Sequence, residues 1–238
     1  SGYVADATDC DDEDALVNPD EDNCDCGADG GDIVSVSTPV LQSTNGSIYG
    51  NWFADPLGTL GIGKIWEMVS YNGTTIVEYD SLSDFNAGRA SDSWTLTYGW
   101  DGTGAVAYDG YLYYNKTGTA NMIKYDLDSH TTILDVRLPG AGFRNTYHYE
   151  WGGYSDIDFA SDETGLWVFY STSSNSGRLV ISKLNESDLS VTTTWNTNSE
   201  SKTAMGQAFI VCGVVYMIDS HGGTSTTINR KYDTNTST

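Results

Sequence analysis

Basic residues are scarce: eleven Lys and Arg stand against 33 Asp and Glu, for a net charge of −22. A chain this acidic repels phosphate backbones, which excludes nucleic acid as a partner. No run of about 18 apolar residues occurs, which excludes a membrane-spanning helix. Prolines number only four. No stretch carries sustained helical periodicity bounded by caps, so helices are not expected to contribute to the architecture. Initiator methionine and signal peptide are both missing; the chain begins Ser1-Gly2-Tyr3, as a piece cut from a longer protein would.

What is abundant points one way. Sixteen Tyr, seven Trp and 26 Gly accompany a charged fraction of only 18%. Aromatic and β-branched residues broken by Gly, Asn, Asp and Ser are the chemistry of strands and turns, and the fold class read from them is all-β. At 238 residues the chain buries enough surface to need no staple for its core. The acidity is uneven. Residues 1–32 hold twelve carboxylates and no Lys or Arg, and the first basic residue is Lys64. Four Cys allow two disulfides in three connectivities. Cys24 and Cys26 lie close enough to suggest a metal or redox pair, but no His or further Cys completes one. Five N-glycosylation sequons start at Asn45, Asn72, Asn115, Asn185 and Asn235. With paired Cys they point to a secreted or extracellular glycoprotein carrying N-linked glycans. Asn72 and Asn115, in hairpins, are the sites expected to be most exposed.

One pattern recurs along the chain: Gly, an apolar–aromatic strand, a polar turn, a second strand, and an Asp or Asn turn. It runs from Gly73 to Tyr79-Asp80, from Gly110 to Tyr125-Asp126, from Gly165 to Leu184-Asn185, and from Gly213 to Tyr232-Asp233. The four glycines are spaced by 37, 55 and 48 residues, intervals that suit four short antiparallel strands, one propeller blade. A β-sandwich of similar hairpins is the alternative; repetition of the whole hairpin favours the propeller.

The residues between Gly102 and Met217 resemble the olfactomedin family. The match runs through Thr103-Gly104-Ala105-Val106-Ala107-Tyr108, Gly110-Tyr111-Leu112-Tyr113-Tyr114 and Leu138-Pro139-Gly140-Ala141-Gly142-Phe143. Its longest stretch is Tyr149-Glu150-Trp151-Gly152-Gly153-Tyr154-Ser155-Asp156-Ile157-Asp158, and Ala208-Phe209-Ile210-Val211-Cys212-Gly213 follows. Upstream, Cys26-Gly27, Gly50-Asn51-Trp52 and Asp55-Pro56 fall where the family begins. The resemblance implies a five-bladed β-propeller over residues 26–238, its last blade incomplete in this chain, preceded by an acidic segment over residues 1–25.

That resemblance carries further expectations. It pairs Cys26 with Cys212, which leaves Cys10 to pair with Cys24. It implies a channel calcium site in which Asp158 supplies a carboxylate, Ala208 a carbonyl, and Gln207 an amide where the family usually has Asn. The carbonyl of Phe159 would face a neighbouring sodium ion. A second family carboxylate falls beyond the residues present here, which weakens the site. The bland alternative has Asp156 and Asp158 buried and hydrogen-bonded near Arg144 or a backbone turn. Separately, Asp9, Asp11, Asp12, Asp14 and Asp20 lie in a segment resembling the Asp-Cys-Asp-Asp repeats of extracellular proteins, thrombospondin type 3-like in style. Calcium binding there is weighed against a solvated acidic tail.

The function so implied is non-enzymatic: an extracellular binding or adhesion module that recognises other proteins or matrix. One alternative is a structural subunit of an extracellular fibre, self-assembled through open strand edges near residues 32–40 and 211–238. The other is a propeller glycosidase using Asp55, Asp158 or Glu163. The scattered histidines His130, His148 and His221, with no nucleophile motif, argue against catalysis.

Overall fold

The computed structural model describes residue 33, residues 49–222 and residues 226–238. Fourteen strands among them form antiparallel sheets of seven, four and three strands. The first contains β1 (Gly50–Phe53), β2 (Ile65–Val69), β3 (Asn72–Tyr79), β4 (Asp92–Tyr108), β5 (Tyr111–Lys116), β6 (Asn121–Asp126) and β7 (Thr131–Arg137). The second runs β8 (Asp158–Asp162), β9 (Gly165–Ser171), β10 (Arg178–Leu184) and β11 (Val191–Ser201). The third contains β12 (Gln207–Val211), β13 (Val214–Ile218) and β14 (Ile228–Asp233).

The seven-stranded sheet is two units sharing one strand. β4 is 17 residues long, and its pairing with β5 breaks between Asp101 and Val106. Its first part closes a four-stranded unit with β1, β2 and β3, and its second part opens the next with β5, β6 and β7. The described residues thus form a row of four units, each a meander.

Their packing explains the long apolar runs. Along β9, Leu166, Val168 and Tyr170 enter one buried cluster with Tyr113, Met122 and Phe159, while Trp167 and Phe169 enter another with Val215 and Met217. Along β5, Leu112 and Tyr114 face a cluster with Trp66 and Trp100, whereas Tyr113 faces the opposite way. Successive side chains point to opposite faces, so a strand buried on both must be apolar at every position. Three of the four buried clusters are therefore seams between neighbouring units, and the fourth, Ile65, Tyr79 and Phe85, belongs to the first unit and its helix. This all-β stacking is consistent with a β-propeller; among the described residues no sheet closes on itself.

The repeat maps onto this plan with one correction. Tyr79, Tyr125, Leu184 and Tyr232 end the third strand of their units, as the recurring turn implied. Gly110, Gly165 and Gly213 lie in or border the turn between a unit's first two strands, but Gly73 lies inside β3, one hairpin later. The first unit makes that connection with residues 54–64, a loop too long to show the tight turn. A short helix also departs from the all-strand expectation: α1 (Leu82–Asn86), whose N-cap Ser81 accepts the amide of Asp84. Ser81 followed three residues later by an acid is its one local signal.

Candidate functional site

Units meet where β4, β8 and β12 come together, and the sequence places a glycine at the closest approach. A Cβ on Gly104 would lie 1.9 Å from Asp158 Oδ1 and 2.7 Å from Asp158 Cα, so only glycine lets β4 pass the first residue of β8. Asp158 is only 4% exposed. Its Oδ2 accepts the Tyr149 hydroxyl at 2.7 Å and the Gln207 amide at 3.2 Å. Burial pushes its pKa up to about 6, against the opposing pull of the Lys202 ammonium and the Tyr149 hydrogen bond. Burial, then the charge of Asp158, pushes the Tyr149 phenol well up, so it stays a donor.

Lys202 is fully buried; its Nζ donates to the carbonyls of Ser155 (2.6 Å) and Asp156 (3.0 Å) and lies 4.0 Å from the centre of the Tyr149 ring. Burial lowers its pKa to about 8, while Asp158 and then Asp156 pull it up. Asp156 is also buried, and its oxygens accept the amides of Asn145 and Tyr147, both at 2.7 Å. Asp156 thus fixes a backbone turn, one of the outcomes weighed from the sequence. The cation near Asp158 is Lys202 rather than Arg144. Lys202 and Tyr149 had no signal in the sequence as site residues: one sits in the polar run Ser199-Glu200-Ser201, the other among many tyrosines.

Gln207 and Ala208 open β12, and Asp158 and Phe159 open β8, so the four expected channel residues converge. The side-chain oxygen of Gln207 is buried and has no hydrogen-bond partner. β8 and β12 are edge strands of their sheets, and an edge strand leaves alternate carbonyls outside its ladder. These are hard oxygen donors of the kind calcium takes, beside a carboxylate whose ionisation burial opposes.

The other carboxylates considered for catalysis serve as latches. Asp55 accepts the amides of Asp109 (3.0 Å) and Gly110 (2.8 Å) in the tight turn from β4 to β5. Glu163 accepts the amide of Cys212 (3.0 Å), and Asp162 that of Gly213 (2.7 Å), in the equivalent turn from β12 to β13. Both turns place two successive residues at positive φ: Asp109 at 52° and Gly110 at 77°, Cys212 at 51° and Gly213 at 75°. Such turns match the strand twist and leave amides directed outward, which the carboxylates collect.

Cys212 is disulfide-bonded. Its candidate partners Cys10, Cys24 and Cys26 lie outside the described residues, as do Asp9, Asp11, Asp12, Asp14, Asp20 and Asn45. Of the sequons, Asn72, Asn185 and Asn235 are exposed. Asn115 is 3% exposed, and its amide nitrogen donates to the carbonyls of Thr119 and Asn121, both at 3.0 Å. That corrects the expectation for Asn115: the nitrogen a glycan would occupy is spent inside its hairpin.

Among the described residues no helix is long and apolar enough to cross a membrane. Comparison with known proteins bears on the same elements. The chain is 39% identical to rabbit (Oryctolagus cuniculus) myocilin over 213 residues, covering 87% of this chain and 43% of that protein. It is 38% identical to rat (Rattus norvegicus) myocilin over 213 residues, 87% and 42%. The chain therefore spans less than half the length of these relatives. A solved luciferin-regenerating enzyme is similar at 16% identity over 71% of this chain and 52% of that one, with a TM-score of 0.34, too low to carry an argument. Residues 21–238 match the profile of the olfactomedin-like domain, and the chain belongs to that family.

Proposed function

We propose that this chain is the propeller part of a secreted, non-enzymatic module that binds other extracellular proteins or matrix. The observation that carries the reading is the use made of its carboxylates. Asp55 and Glu163 are committed to backbone amides of neighbouring turns, and Asp158 is buried among Tyr149, Gln207 and Lys202. Among the described residues none is paired with a second carboxyl across an open cleft, as acid and nucleophile in a glycosidase must be. Family membership supports a protein-interaction role, and the resemblance supports five blades, of which the four observed units would form part. The fibre-forming alternative rests on the exposed sheet edges.

Calcium is proposed at two places. In the channel, Asp158, the unpartnered oxygen of Gln207 and the carbonyl of Ala208 would hold it, with the carbonyl of Phe159 facing a neighbouring sodium ion; bound there, calcium would tie β8 to β12 and keep Asp158 ionised. In the acidic segment, Asp9, Asp11, Asp12, Asp14 and Asp20 would hold it by charge. The disulfides proposed are Cys26–Cys212 and Cys10–Cys24. Binding to an array of secreted and cell-surface ectodomains tests the function: saturable binding to a defined ectodomain is expected. Glycoside hydrolysis that Glu163→Gln or Asp158→Asn abolishes would overturn it. Calorimetry with calcium on the whole chain and on Asp158→Asn separates the two ion sites.

A further inference from the structure

Four sequon asparagines fall among the described residues, and three of them have their side chains engaged. Asn115 donates inside its own hairpin. Asn185 Oδ1 accepts the amide (3.0 Å) and the hydroxyl (2.8 Å) of Ser187, and Asn235 donates to the carbonyl of Cys212 at 3.3 Å. Asn72 is exposed at the start of β3, and its side chain makes no hydrogen bond among the described residues. It forms instead one wall of a groove of about 360 Å³, completed by Gly73, Thr74, Gly99 and Thr117. That volume lies at the lower end of the range for small-molecule sites, about 300–1,000 Å³.

The groove opens where the β3–β4 ladder breaks. Gly73 pairs with Trp100 and Thr75 with Thr95, so Leu96 to Gly99 all stand opposite the single residue Thr74. A Cβ on Gly73 would lie 2.6 Å from the Trp100 ring. One on Gly99 would lie 2.7 Å from the Gly73 carbonyl oxygen and 2.8 Å from Thr117 Oγ1. Neither glycine has positive φ, so close approach rather than backbone conformation requires them. Between Asn72 and Thr117 this leaves a strip of bare peptide with a threonine on either side. Thr117 Oγ1 donates to the carbonyl of Trp100 at 2.9 Å and keeps its lone pairs for a further donor.

We infer that this groove seats the first sugar of an N-linked glycan carried by Asn72. Attachment puts the sugar at the groove: its anomeric carbon bonds to Asn72 Nδ2, a lipid diphosphate leaves as the donor's leaving group, and the amide proton passes to solvent. N-acetylglucosamine is neutral, with an apolar ring face that suits the glycine strip and a polar edge that suits the hydroxyls of Thr74 and Thr117. Seated there, it clamps β3, β4 and the β5–β6 turn together. The docking rests on the secretory reading proposed above and goes beyond it, because it makes one glycan a structural part of the fold.

The test uses the whole chain from a secretory host, trimmed by an endoglycosidase to one N-acetylglucosamine per occupied site. In NMR spectra the acetamido methyl of the sugar on Asn72 should show Overhauser contacts to Gly99 Hα and to the Thr117 methyl. The thermal midpoint of the trimmed chain should fall by about 2–4 °C in Asn72→Gln and stay in place in Asn185→Gln. In the unglycosylated chain Asn72→Gln should leave the midpoint unchanged, which separates the sugar from the asparagine. A sugar on Asn72 without contacts to Gly99 or Thr117 overturns the docking. So does an equal fall in Asn185→Gln, or in the unglycosylated Asn72→Gln chain. Asn72 bare beside an occupied Asn185 overturns the docking and leaves secretion standing; every sequon bare overturns both.

Discussion

Carboxylates in the tight turns, the rim here, and the carboxylate between β4, β8 and β12, the centre, are satisfied by opposite means. At the rim, Asp55 and Asp162 collect backbone amides from tight turns, and these bonds hold one unit to another. At the centre, Asp158 has side-chain donors from Tyr149 and Gln207, with a buried ammonium nearby, and its pKa rises to about 6. A charge met by fixed amide dipoles stabilises the fold; a charge met by another desolvated charge is costly unless further bonds satisfy both. The turn carboxylates serve stability, and Asp158 is a carboxylate whose ionisation burial opposes.

Removing the central ammonium should break this comparison most severely. Lys202→Met leaves Ser155 and Asp156 carbonyls without their donor and Asp158 without its nearest cation, and should cost about 3–5 kcal/mol in denaturant unfolding. Gly104→Ala, which drives a Cβ into Asp158, should destabilise by a similar amount, about 2–4 kcal/mol, through a displaced backbone. At the rim, Asp162→Ala strips the Gly213 amide and the Trp167 indole of their acceptor and should cost about 2–3 kcal/mol. Asp55→Ala should cost slightly less, about 1–3 kcal/mol, and equal losses at rim and centre would erase the distinction. The smallest effect concerns glycans. Peptide mapping of material from a secretory host should find Asn72 and Asn185 occupied and Asn115 bare, with little change in stability when Asn185 is replaced by Gln.

The two regions also differed in how far the sequence revealed them. The strands of the seams were legible as the apolar–aromatic runs of the repeat, Tyr111–Tyr114 in β5 and Leu166–Tyr170 in β9, which burial on both faces requires. The third-strand ends were legible through their recurring Tyr-Asp turns. Gly73 misled because the first unit replaces its tight turn with a long loop, so the nearest glycine belongs to the wrong hairpin. Convergence of Asp158, Gln207 and Ala208 was expected through resemblance alone; no spacing rule brings residues 49 apart onto adjoining strands. Lys202 was invisible because a lysine in a polar run reads as solvated, and only the tertiary fold supplies the two carbonyls that hold it. The latches were hidden too, since an Asp before a Pro or a Glu beside an Asp reads as loop chemistry until its partner turn is placed.

Burial holds Asp158 against its own ionisation. A group whose folded pKa is raised adds stability that is present below its ordinary pKa of 3.8 and lost as pH rises through about 6. The direct measurement is unfolding free energy in metal-free buffer from pH 3.5 to 7, for the chain and for Asp158→Asn. Between pH 3.5 and 7 the native chain should lose about 3 kcal/mol relative to Asp158→Asn, roughly two pKa units at about 1.4 kcal/mol each. Curves that stay parallel across that range, or a native chain that gains stability over the variant, would contradict the account.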